Sequence, residues 1–146
     1  MGVNYQDIKK VDDKFGPTPS GKYYQPKKDH NPLGKGKRPS RNDKKTHWIK
    51  TESHQYCVFE EADSNGWELP QGILGMDISD KKLNVLGYDG EKVAFFPVVN
   101  NAGNPWHGYP CKMTNVKGNF DDIFKTLFDA NIISKTIYYQ LLNCKI

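Results

Sequence analysis

Cysteine is scarce and odd in number: Cys57, Cys111 and Cys144 are the only thiols in 146 residues. A disulfide framework needs a denser, even set, so these three exclude one. No run approaches the ~20 apolar residues of a membrane-spanning helix, so no membrane association is expected. The stretch from Met1 to Lys14 has no apolar core of the usual ~7–15 residues, so no secretory leader is expected either. An N-x-[ST] acceptor is also missing. These absences point to a cytoplasmic protein with reduced thiols. Apolar residues make up only 36% of the chain, below the ~45–50% of an ordinary globular domain.

The shortfall is not spread evenly, and neither is charge. Residues 1–50 hold 13 Lys/Arg against 5 Asp, a net of +8, whereas residues 51–146 hold 8 Lys/Arg against 12 Asp/Glu, a net of −4. Such an asymmetry describes a basic arm attached to a mildly acidic body. The arm is assigned to residues 1–46 and the globular domain to 47–146. Tyr5, Ile8, Val11 and Phe15 recur every three or four positions, which predicts a short helix over 4–15. Five prolines and four glycines between Gly16 and Thr46 then deny helix and ladder bonds, so this segment is expected to be flexible, with an intrinsically disordered N-terminus.

The body reads as α+β. Trp48–Lys50, Gln55–Glu61, Trp67–Leu69, Ile73–Ile78, Leu83–Tyr88, Glu91–Val99 and Tyr109–Val116 have strand-like composition and combine into an antiparallel meander of about five strands. Asn65-Gly66, Ser79–Lys82 and Asp89-Gly90 mark turns, and Asp-Gly suits a type I′ hairpin. Pro97 predicts an edge position or a bulge. Phe120, Ile123, Phe124, Leu127 and Phe128 fill the i, i+3, i+4, i+7, i+8 template of a buried helical face behind an Asn119 cap. Ser134 caps a second helix. The two form a C-terminal helical hairpin packed on one face of the sheet.

Four groups of residues carry chemistry. The run Lys27, Lys28, Lys35, Lys37, Arg38, Arg41, Lys44 and Lys45 places eight cations in 19 residues, opposed only by Asp29 and Asp43. Phosphates reward such a run through counterion release, and Tyr23, Tyr24 and Trp48 flank it as stacking surfaces. Gly16-Pro-Thr-Pro-Ser-Gly-Lys22 has phosphate-loop spacing, but Pro17 and Pro19 have no N–H to offer a phosphate. His54, Cys57, His107 and Cys111 are the right residue types for a tetrahedral zinc site, at spacings that carry little weight. No cofactor is expected. The stretch from Asn100 to Pro110 sets Trp106, His107 and Tyr109 in a Gly/Asn/Pro-rich loop, where binding sites concentrate.

The functional reading that follows is a non-enzymatic protein that binds RNA, DNA or a nucleic-acid-containing complex through the basic arm. Two alternatives belong to other classes. One is a metal-independent ribonuclease using His107 with His54, Glu60 or Glu61 as the second group. The other is a protein-interaction module of inhibitor or immunity type, using the loop at Trp106, His107 and Tyr109 with a protein partner.

Overall fold

A helix, not a strand, occupies the centre of the chain. The computed structural model describes residues 2–34, 36–40, 45–100 and 105–146. In it α1 spans Glu52–Ser64, and Thr51 caps it by accepting from the His54 N–H at 3.3 Å. The strand expected over Gln55–Glu61 is therefore wrong. Gln55, Tyr56, Cys57, Val58 and Phe59 are all buried in succession. A helix covered on most of its circumference shows no apolar periodicity, which explains the misreading.

The rest is an α+β fold. β1 (Glu68–Leu69), β2 (Gly72–Gly75), β5 (Val93–Pro97) and β6 (Tyr109–Cys111) form one antiparallel sheet in the order β1-β2-β5-β6. The main sheet has four strands, and a two-stranded sheet accompanies it. A separate hairpin, β3 (Ile78–Ser79) with β4 (Lys82–Leu83), is inserted between β2 and β5. Its two-residue turn, Asp80-Lys81, has φ of 50° and 61°, the type I′ geometry. Asp89-Gly90 also turns the chain, but no paired strands flank it; Leu86 and Gly87 both donate to the Glu91 carbonyl. Pro97 ends a central strand. Val98 donates to Gln71 on the β2 side at 3.1 Å, so Pro97 turns its nitrogen the other way. There β6 pairs only as far as Phe95, and no N–H is needed.

α1 packs on this sheet. A Cβ added at Gly75 would lie 2.9 Å from both the Phe96 ring and Val58 Cγ1, so glycine sets how closely helix and strand approach. Two further helices follow, α2 (Asp121–Asp129) and α3 (Lys135–Leu142). Phe124 and Leu127 are buried on α2, Ile137 and Leu141 on α3, all within the common core. Phe128 and Tyr138 stack between the two helices at 4.7 Å.

The N-terminal segment departs most from expectation. Residues 4–15 are not helical. The stretch around Gln6–Ile8 lies against α1, with Ile8 N–H donating to Ser53 Oγ at 2.7 Å and Ser53 Oγ to the Gln6 carbonyl at 2.5 Å, and Val11–Lys14 then form a tight turn in which Val11 and Lys14 exchange backbone hydrogen bonds. The apolar stripe of residues 4–15 is too thin to fold alone, and Val11 stays 74% exposed. The Pro/Gly stretch after them is irregular but not loose: Phe15, Thr18 and Tyr24 are buried. The core therefore draws on side chains well before residue 47, and the disorder expected of the arm does not extend to 15–24. The loop at Gly16–Lys22 is pinned by Lys22, whose Nζ lies 2.8 Å from Asp63 and 3.3 Å from Glu68.

Candidate functional site

β6 is an edge strand, and its N-terminal approach is lined by a second extended segment. Trp106 N–H donates to the Tyr23 carbonyl at 2.7 Å, and Gln25 N–H returns to the Trp106 carbonyl at 2.8 Å. Tyr24 and Trp106 thus form a parallel bridge. Beyond it residues 23–30 and 106–111 travel the same way, which brings Lys27 to the flank of His107 and His30 to the flank of Tyr109.

Two neighbouring clefts result. Gln25, Lys27, Asn100, Pro105 and His107 line one of about 360 Å³. His30, Lys45, Thr46, Tyr109 and Asn115 line the next. The His30 and Tyr109 rings form part of its wall, stacked with centroids 5.1 Å apart and planes 24° from parallel. The Nδ1 of His30 lies 2.6 Å from the Thr46 carbonyl. A carbonyl only accepts, so Nδ1 carries the hydrogen and Nε2 remains for other partners. Thr46 Oγ1 is buried without a hydrogen-bond partner among the described residues. Neither lining contains a carboxylate among those residues.

The electrostatics follow from that composition. Burial lowers the His107 pKa, and the charges of Lys27 and His30 lower it further. Burial also lowers His30, aided by Lys45 and His47, against the raising effects of the Thr46 carbonyl and Asp29. Both imidazoles are thus neutral at pH 7, in surroundings that already hold excess positive charge.

The structure separates other residues that the sequence grouped together. Lys27, Lys28, Lys37, Arg38 and Lys45 are exposed; Lys35, Arg41 and Lys44 lie outside the described residues. Trp106 is buried at 7% exposure, with its ring 5.9 Å from Phe59, and so is a core residue and not a presented anchor. The zinc candidates do not converge. His54 faces Asp7 at 3.1 Å and Tyr5 at 5.0 Å, across α1 from the His107 cleft. Cys57 lies under the N-terminal segment, accepting from Gln6 N–H at 3.4 Å. Burial pushes the Cys111 thiol up to about 12, away from the thiolate a metal needs. No group of three or more metal-binding side chains exists among the described residues. His54, Glu60 and Glu61 belong to α1, and Glu60 accepts from the Tyr56 hydroxyl at 3.0 Å. The group that joins His107 is His30, which the sequence reading passed over. Its only sequence signal was being the one imidazole inside a run read for lysine and arginine.

Among the described residues no helix is long and apolar enough to cross a membrane. Compared with protein-family models, with curated proteins and with solved structures, the chain matches none.

Proposed function

We propose that the protein binds single-stranded nucleic acid through the exposed cations Lys27, Lys28, Lys37 and Arg38 and the clefts at the edge of β6. The observation that carries this reading is the clustering of exposed cations in one short stretch of chain, part of it beside clefts whose described linings hold no carboxylate. Exposed cations beside such clefts are suited to phosphates. The stacked His30–Tyr109 pair adds an aromatic platform beside them, and a base presents a π-face to it only when unpaired. Three free cysteines fit a reducing compartment such as the cytoplasm.

Fluorescence anisotropy with labelled RNA and DNA oligonucleotides across a salt series tests the reading. Four phosphate contacts should give a slope of about −3 in log K against log salt, at roughly 0.7 per contact on a single strand. Reversing Lys27, Lys28, Lys37 and Arg38 to Glu should abolish the slope. Binding that ignores salt, or survives the four reversals, would overturn the proposal.

A further inference from the structure

We infer that the clefts bounded by Lys27, His30, Thr46, His107 and Tyr109 cleave RNA by transesterification, with the two imidazoles as its base and acid and Lys27 holding the phosphate. This rests on the nucleic-acid reading above and gives it a substrate class. Cutting RNA without a metal requires little machinery. A base must take the proton from the 2′-hydroxyl, an acid must protonate the departing 5′-oxygen, and a cation must steady the pentavalent phosphorus between them. Those three groups are present where residues 23–30 run beside 106–111, and no carboxylate in the described linings competes with the phosphate.

The roles follow from the surroundings. His107 has no protein hydrogen-bond partner among the described residues. Its neighbours Lys27 and His30 favour the neutral ring, the form a base requires. His30 is held by its Nδ1–H bond to Thr46 and by the Tyr109 ring. Burial lowers its pKa, against the raising effects of Thr46 and Asp29, so Nε2 carries a proton to donate only on the acid side of neutrality. In the step, the 2′-oxygen attacks phosphorus as His107 removes its proton. The P–O2′ bond forms, the P–O5′ bond breaks, and His30 Nε2 protonates the 5′-oxygen. The products are a 2′,3′-cyclic phosphate and a 5′-hydroxyl. His107 gains the proton that His30 loses, solvent exchange restores both, and no oxidant or metal enters the balance.

The test uses the full chain in EDTA with two oligonucleotides of one sequence, one of RNA and one 2′-O-methylated. The expected result is cleavage of the RNA alone, with a cyclic-phosphate end detected by mass spectrometry. His107→Ala and His30→Gln should each lose at least about 100-fold in kcat/KM. The loss should persist in kcat at saturating RNA, and unchanged circular dichroism would show that both variants fold. Lys27→Ala, at an exposed position, should lose at least about tenfold. The kcat/KM profile should be a bell with its maximum below about pH 6.5. Binding of the methylated strand with the RNA left intact would overturn the cleavage inference and leave the binding proposal standing. Failure to bind either strand would overturn both. Equal cleavage by parent and His107→Ala, or a linear phosphate formed without the cyclic intermediate, would overturn the inference as well.

Discussion

The phenol of Tyr24 donates to Gln55 Oε1 at 2.8 Å, and both residues are wholly buried. Gln55 extends the connection, since its Nε2 donates to Asn31 Oδ1 and to the Lys50 carbonyl, each at 3.1 Å. One amide on α1 thus ties down two separate points of the N-terminal segment and the chain just before the helix. Burial, with Glu52 nearby, drives the Tyr24 phenol far above its ordinary range, so it remains a neutral donor throughout.

Tyr24→Phe should therefore cost about 1–3 kcal/mol, because Gln55 Oε1 is left buried without a donor. Urea denaturation reads this as a lower midpoint at unchanged slope. A change below about 0.5 kcal/mol would show that the amide finds another partner. Deleting residues 1–46 removes Phe15 and Tyr24 from the core and should abolish the cooperative transition.

Phe124 is fully buried on α2. Phe124→Ala should cost about 3–5 kcal/mol in the same measurement. A cost below about 1 kcal/mol would mean that the helical pair contributes little to the common core.

Trp106 and Tyr109 should separate stability from binding. Trp106→Ala opens a cavity against Phe59 and should cost about 3–5 kcal/mol. Tyr109→Ala removes a half-buried ring that stacks on His30. It should weaken binding of single-stranded RNA by about 1–3 kcal/mol, or roughly 5- to 150-fold. Equal effects of the two variants on binding would show that the loop acts as one rigid unit.

The two cleft histidines set a pH dependence of defined sign. Burial lowers both folded-state pKa values, with Lys27 and His30 acting on His107 and Lys45 and His47 on His30, opposed by Asp29 and Thr46. Unfolded imidazoles protonate near pH 6.5. Below that pH the unfolded chain binds more protons, so stability should fall from about pH 7 downward through the folded-state values. Bound phosphate reverses the preference, and affinity should rise over the same window. Melting and anisotropy between pH 7.5 and 5.5 measure both, and His30→Gln with His107→Gln should flatten both. An affinity independent of pH would remove the imidazoles from the phosphate path.

The parts of the fold legible in the sequence are those with one wet face. α2 and α3 keep polar residues on one side, so their periodicity shows, and Ser134 accepts from Ile137 N–H as its cap position predicts. Asn119 Oδ1 accepts from Asp121 N–H, although the helix starts one residue later than the cap reading has it. α1 lies between the sheet and the N-terminal segment, and that double cover erased the pattern. Thr51 was still available as a start signal. Lys27 and His107 were legible as chemistry because their residue types are conspicuous. Their convergence was not, since it depends on the Tyr24–Trp106 bridge between distant parts of the chain. His30 was hidden for the same reason, because its meaning comes from Tyr109.

That bridge also sets an order of events during synthesis. Residues 23–30 leave the ribosome long before residue 106, at roughly 5–20 residues per second. Until Trp106 emerges, Lys27 and His30 face no counterpart, and the clefts do not exist. A nascent chain with this topology has neither cleft until the segment that carries Trp106 has joined residues 23–30. Cutting the chain between Lys50 and Thr51 would put Tyr24 and Trp106 in different pieces, and neither piece alone could form the bridge.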